Sequence, residues 1–290
     1  MPTESLQFID GEWQSGEGEE IESRNPASPD EIVGSGRKAT LEQAQQAIDA
    51  AERASEEWES TTPDERDSVL YDIADLIERD QEEIAETLTR EEGKPISSAR
   101  GEVGRTAEIF RYFAGEARRA TGDTVQSGDP ETFTYTVREP LGVVSLITPW
   151  NFPAATPGWK IAPALAAGNA VVFKPSSVTP LTGRHLVELF EEAGLPDGVV
   201  NFLVGPGSTV GDEITTNEAV DGISFTGSNG VGEHIAGVAA DRGIPVQTEM
   251  GGKNPQIVLP DADLDAAADA AVAGAYGGTG QACTATSRLI

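Results

Sequence analysis

Between residues 143 and 276, short apolar runs alternate with stretches of helical periodicity, and this pattern constrains the fold more than any other feature. The runs fall at 143–147, 170–173, 199–204, 222–225, 246–248 and 256–259. Glycine or proline bounds most of them. The intervening segments at 154–167, 182–193, 208–216, 230–240 and 264–276 are long enough for crossover helices. Short apolar strands separated by helices predict an α/β fold, a Rossmann-like parallel sheet covered on both faces. In such sheets ligands bind beyond the carboxyl ends of the strands. Most of the polar motifs in this chain sit at such ends.

The preceding part of the chain reads differently. Residues 1–36 form an extended lead-in punctuated by Gly11, Gly16, Gly18, Pro26 and Pro29. Helices then extend to about residue 119. Thr40 and Gln43 form a capping box before the apolar stripe Leu41, Ala44, Ala47, Ile48, Ala51 and Trp58. Thr62-Pro63 starts a second helix, with proline where its missing N–H costs nothing. Gly93-Lys94-Pro95 stops the next segment, and a further helix runs over 98–118. At 121–142 the pattern breaks, and the β-branched and aromatic run 132–137 predicts a hairpin standing off the helical body.

The 49 Asp+Glu residues against 20 Lys+Arg give a net charge of −29 over 290 residues. Such a surface repels nucleic-acid phosphates and anionic membranes, so neither is an expected partner. The acid is spread along the whole chain, which favours adaptation to high salt over an acidic face for one basic partner. No basic-then-apolar leader and no apolar run of membrane-spanning length is visible, so a soluble cytoplasmic protein is expected. A single cysteine excludes an internal disulfide, and His185 and His234 fall in helical stretches away from any carboxylate cluster, so no metal site is expected.

Cys283 follows Gly280-Gln281-Ala282 in a glycine-rich turn. A lone cysteine is usually a small buried hydrophobe. In a loop with free backbone N–H groups it is instead a candidate nucleophile, since such groups stabilise a thiolate. Glu249 ends a strand beside Gly251-Gly252. It reads either as one more surface carboxylate or as a base whose partial burial raises its pKa. Asn151, in Thr148-Pro149-Trp150-Asn151-Phe152-Pro153, is a turn residue or an oxyanion donor. Lys174 ends a strand, where a cation suits a ribose or phosphate. Gly205-Pro206-Gly207 and the stretch from Phe225 to Gly232 are glycine-rich turns at successive strand ends, although neither matches G-x-G-x-x-G.

Together these segments resemble the aldehyde dehydrogenase superfamily in order and spacing, from Gly11 to Ile290. The resemblance implies that Cys283 attacks an aldehyde carbon while Asn151 and the Cys283 backbone N–H hold the oxyanion. Hydride then passes to a nicotinamide, and Glu249 activates water to release the acid from a thioester. It implies an NAD or NADP site built from Trp150, Lys174 and Ser177, from Gly207 and Gly211, and from Phe225, Thr226, Gly227, Ser228 and Gly232. Relatives that prefer NAD usually carry glutamate where this chain has Ser177, so NADP is the expected preference. The run Cys283-Thr284-Ala285-Thr286-Ser287-Arg288 is similar to a subgroup that oxidises 2,5-dioxopentanoate, with succinate semialdehyde the competing substrate. The implied division is a cofactor-binding domain over 1–120 and 143–252, an oligomerisation hairpin over 121–142, and the start of a catalytic domain over 253–290. Complete members continue well past the nucleophile, so a truncated catalytic domain is expected. A homodimer or homotetramer is implied for the full-length protein. The competing expectation is a nucleotide-binding fragment without catalysis.

Overall fold

A computed structural model describes residues 6–290. The chain begins with four strands, β1 (Gln7–Ile9), β2 (Glu12–Gln14), β3 (Glu20–Arg24) and β4 (Ile32–Arg37). Four helices follow: α1 (Leu41–Ser60), α2 (Pro63–Arg79), α3 (Gln81–Glu92) and α4 (Ile96–Ala117). Then come β5 (Thr124–Gln126) and β6 (Phe133–Tyr135). The alternating part is β7 (Val143–Ile147), α5 (Ala155–Ala166), β8 (Ala170–Lys174), α6 (Pro180–Glu192), β9 (Val200–Phe202), α7 (Asp212–Thr216), β10 (Gly222–Gly227), α8 (Asn229–Arg242) and β11 (Val246–Met250). It ends with β12 (Asn254–Gln256), α9 (Leu264–Tyr276) and β13 (Thr286–Leu289).

The main sheet has seven strands in the order β11-β10-β7-β8-β9-β1-β2. The block from β11 to β9 is parallel, as the sequence predicts. The lead-in adds β1 and β2 antiparallel at one edge, so the sheet is mixed. Side chains alternate across the central strands. Val144, Leu146, Val171 and Phe173 join the core beneath α2, α4, α5 and α6. Val143, Ala170 and Val172 join the opposite core with α1, α7 and α8. Burial on both faces explains why these strands read as continuous apolar runs. Each buried Phe, Leu or Val stabilises by about 1.5–3 kcal/mol, and Phe173→Ala would cost about 3–5 kcal/mol through the cavity it leaves.

Helix starts follow local chemistry. Thr40 and Gln43 form the expected capping box of α1. Thr62 and Glu65 form a second one ahead of Pro63 in α2. Gly93 closes α3 with φ +94, a left-handed conformation that favours glycine.

Two expectations need correction. Of the strand predicted at 256–259 only Gln256 is in a strand, β12, and β12 pairs in parallel with β13 as a separate two-stranded sheet instead of joining the main one. Strand periodicity says nothing about the partner, and Pro255 with a register shift at Asn254/Pro255 interrupts the ladder there. The helix expected over 208–216 is a π-helical turn, Gly207–Gly211, running into the short α7. The segment that Gly93-Lys94-Pro95 stops is the separate helix α3. The hairpin at 121–142 is present: β5 and β6 pair antiparallel, with Val125, Phe133 and Tyr135 exposed. Among the described residues no helix is long and apolar enough to cross a membrane.

Candidate active site

The carboxyl ends of the five parallel strands carry the polar motifs. Thr226 of β10 lies in register with Glu249 of β11, Phe225 with Ile147 of β7, and Ile147 with Lys174 of β8. The loop after β7 holds Trp150 and Asn151, and the turn after β9 holds Gly207 and Gly211.

Cys283 is an exposed free thiol in a turn closed by the Ala285 N–H donating to Ala282 O at 3.0 Å. The approach to it, Gly278-Thr279-Gly280, has three successive positive φ angles, of 56°, 56° and 72°. Thr279 is not glycine, so local strain accompanies this entry. Two asparagine amides clasp the turn. Asn151 Nδ2 donates to Gln281 O at 2.7 Å. Asn254 Nδ2 donates to Cys283 O at 2.7 Å and to Ala285 O at 3.1 Å. A Cβ on Gly252 would lie 3.8 Å from Cys283 O, so the segment just after Glu249 also reaches the turn. The segments carrying the candidate thiol, carboxylate and amide therefore meet. A cavity of about 350 Å³ lies beside them, with Lys94, Asn151, Phe152, Gln281, Ala282 and Thr284 in its wall.

Glu249 is exposed rather than partly buried, because β11 is the outer strand of the sheet. A polar chain leads from it into the protein. Gln247 Nε2 donates to Glu249 Oε1 at 3.1 Å, and Ser224 Oγ donates to Gln247 Oε1 at 2.5 Å. Lys160 Nζ donates to Ser224 Oγ at 2.7 Å and to Gln247 Oε1 at 3.4 Å. Burial lowers the Lys160 ammonium to about 8, against the pull of the Glu249 charge.

Further along the same edge, at the end of β8, Lys174 is buried and among the described residues donates only to its neighbour's carbonyl, Pro175 O, at 3.2 Å. Burial brings it down to about 8. A buried ammonium with one carbonyl partner retains donors for an anion or a hydroxyl. Ser177 Oγ donates to Gly205 O at 3.4 Å, which ties the loop after β8 to the turn after β9. Gly211 lies close to the Lys174 side chain. A Cβ on Gly232 would come within 2.5 Å of Met250 Sδ, so the turn after β10 packs tightly on β11. Ser228 starts α8 without capping it through its side chain. Free N–H groups at that helix start, Lys174 and the side-chain-free Gly207 fit the phosphates and ribose of a dinucleotide.

The sequence pattern marks none of Lys94, Glu102, Lys160 and Asn254 as functional. Asn254 lies five residues after Glu249, beyond the glycine pair, and nothing local distinguishes it. The other three carry no signal except unusual burial of charge, which sequence does not display.

Parallel strands whose carboxyl ends carry a buried lysine and a carboxylate, with a cysteine turn held against the loop after β7, describe a ligand-binding α/β domain. The chain belongs to the aldehyde dehydrogenase family, whose model matches residues 13–290. It is 49% identical over 286 residues to α-ketoglutaric semialdehyde dehydrogenase of Bacillus subtilis, covering 98% of this chain and 59% of that protein. It is 46% identical to α-ketoglutarate semialdehyde dehydrogenase of Haloferax volcanii, covering 100% of this chain and 60% of that protein. A crystal structure of betaine aldehyde dehydrogenase from Staphylococcus aureus in complex with NAD+ superposes with a TM-score of 0.95 at 40% identity, covering 98% of this chain and 57% of that one. The chain thus spans about three-fifths of the length of the relatives it matches.

Proposed function

We propose that this chain carries the cofactor site and the nucleophile of an enzyme that oxidises an aldehyde to a carboxylic acid with NAD or NADP. The observation that supports this most directly is the hydrogen bond from Asn151 to Gln281, because it brings an amide donor against the loop of the only cysteine. Cys283 attacks the aldehyde carbon as a thiolate. The free N–H of Asn151 and the Cys283 backbone N–H take the developing oxyanion. When bound, the nicotinamide supplies the two-electron oxidant. Glu249 then removes a proton from water, which attacks the resulting thioester and restores the thiol. Lys174, Ser177, Trp150 and the turns at Gly207–Gly211 and Phe225–Gly232 hold the dinucleotide.

The substrate we propose is a dicarboxylic semialdehyde such as 2,5-dioxopentanoate. Support comes from relatives named for that activity at 44% to 49% identity. We assign residues 1–120 and 143–252 to the cofactor-binding domain and 253–290 to the beginning of the catalytic one. The exposed hairpin at 121–142 is assigned to a subunit contact of a homodimer or homotetramer, and the dispersed acid to work in a salt-rich cytoplasm. The test is a panel of aldehydes with both cofactors, alongside alkylation of Cys283. Turnover of 2,5-dioxopentanoate and protection of the thiol by cofactor plus aldehyde are expected. Alkylation indifferent to both, with no reduced cofactor formed, would remove the reading.

A further inference from the structure

We propose that the buried pair Lys94–Glu102 is a positioning device that holds Asn151 in place, an inference that rests on the oxyanion role given to Asn151 above. Lys94 follows the glycine that ends α3, and Glu102 lies on α4, so neither belongs to the loop they hold. Their side chains are only 8% and 3% exposed. Lys94 Nζ donates to Glu102 Oε2 at 2.5 Å and to the backbone carbonyl of Asn151 at 2.9 Å. It also lies 4.4 Å from the centroid of the Phe152 ring, the next residue along. The second Glu102 oxygen accepts from Ala154 N at 2.9 Å and Ala155 N at 3.1 Å. The start of α5 has no side-chain cap of its own, so Glu102 supplies one from another helix. The backbone from 151 to 155 is thereby fixed at both ends by one ion pair. On its free side the same Asn151 offers its amide to Gln281 O.

Stability alone does not account for such a pair. Desolvating two charges costs about as much as their attraction returns, and well-packed apolar replacements are often as stable. What the pair provides is geometry: a single register for the carbonyl of Asn151 and for the first N–H groups of α5. An oxyanion donor misplaced by about 1 Å loses on the order of a hundredfold in rate.

The variants are Lys94→Met, Glu102→Gln, the two combined, and Lys94→Arg. In the double variant Glu92, 4.0 Å from Lys94 Nζ with its side chain 11% exposed, loses that cation as well; burial already pushes its carboxyl up, so it takes a proton rather than standing as a bare charge. The amide that Glu102→Gln introduces keeps an acceptor for α5. Thermal unfolding, kcat, KM for the cofactor, and the Asn151 side-chain amide signals in ¹⁵N-edited spectra, assigned by their loss in Asn151→Ala, are measured for each. In the double variant we expect a melting temperature near that of the wild type, unchanged cofactor KM, displaced Asn151 amide signals and kcat about a hundredfold lower. Lys94→Arg, which restores a cation with donors, should be faster than Lys94→Met; a packing role alone would favour methionine. A double variant with wild-type kcat overturns the proposal, whether or not the amide signals move. If the wild type oxidises no aldehyde, the dehydrogenase reading fails by itself. The amide signals then decide whether the pair holds Asn151, and unmoved signals overturn that as well.

Discussion

Asn151 donates its side-chain amide to the carbonyl of Gln281 at 2.7 Å, two residues before Cys283. The contact joins the loop after the central strand β7 to a turn 130 residues further along the chain. An amide nitrogen carries two hydrogens, so one secures the turn and one is free to meet an oxyanion. Asn151→Ala should lower kcat by about 10²–10³, with a smaller change in KM for the aldehyde. It should also raise the alkylation rate of Cys283, because the turn loses one of its two asparagine clasps. Steady-state kinetics and a timed iodoacetamide reaction check the two effects separately; wild-type kcat in the alanine variant would refute the oxyanion role.

Lys174 predicts a pH limit for cofactor binding. Burial holds its ammonium at about 8. In the free protein the charge is present below that value and is lost above it. Affinity for an anionic dinucleotide should therefore be flat at acid and neutral pH and fall as pH rises past about 8. Lys174→Met should weaken binding below about pH 8 and abolish that fall, so that the two curves converge at alkaline pH, whereas Lys174→Arg keeps its charge across the range. Fluorescence titration of NADP at several pH values distinguishes these curves. A wild-type affinity that stays constant through alkaline pH would show that this ammonium does not meet the cofactor.

Ser177 bears on the choice between cofactors. Its hydroxyl carries no charge and donates to Gly205 O at 3.4 Å, so nothing in its own chemistry repels a 2′-phosphate. Ser177→Glu places a carboxylate there, which repels that phosphate and accepts from ribose hydroxyls. The variant should shift the ratio of kcat/KM for NADP over NAD downward by at least about tenfold, a change of about 1.4 kcal/mol in discrimination. A ratio unmoved by the new charge would place the adenosine ribose elsewhere.

Much of this arrangement is legible in the sequence. The alternation from Val143 onward fixes the parallel block because strands buried on both faces have to be apolar throughout. Thr40 with Gln43 and Thr62 with Pro63 announce helix starts through local chemistry that needs no tertiary context. Asn151 and Glu249 stand out because proline and glycine isolate them at strand ends, and Cys283 because it is the one cysteine and lies in a glycine-rich turn. Lys94, Glu102 and Lys160 do not, because a lysine or glutamate on a helix or in the turn between two helices reads as solvated surface in a chain of this charge. Their burial depends on which helices meet, and residue order does not encode that locally. The separate pairing of β12 with β13 is hidden for the same reason, since a strand's partner is a long-range choice. The exposure of Glu249 follows from β11 being outermost, a matter of sheet order that the spacing of strands leaves open.

Glu91 has a measurable consequence for stability. Its carboxyl is fully buried and accepts from Leu181 N, Thr182 N, Thr182 Oγ1 and Ser23 Oγ, so it caps α6 much as Glu102 caps α5. No salt-bridge partner lies beside it among the described residues, and burial outweighs those four donors, pushing the carboxyl up to about 7. Because the folded value exceeds the unfolded one, the folded state holds the proton more tightly. Stability from this group is therefore complete below about pH 4.5, declines as pH rises towards 7, and is flat above that. The full span amounts to roughly 3 kcal/mol. Glu91→Gln keeps the shape and one acceptor but cannot ionise, so it escapes the decline. Its melting temperature relative to wild type should climb by several degrees between pH 5 and pH 8, on the order of what 3 kcal/mol gives a domain of this size. The general repulsion among surface carboxylates affects both proteins alike and cancels in the difference. A gap that does not change with pH would mean that this carboxyl remains ionised across the range, with its four donors outweighing its burial.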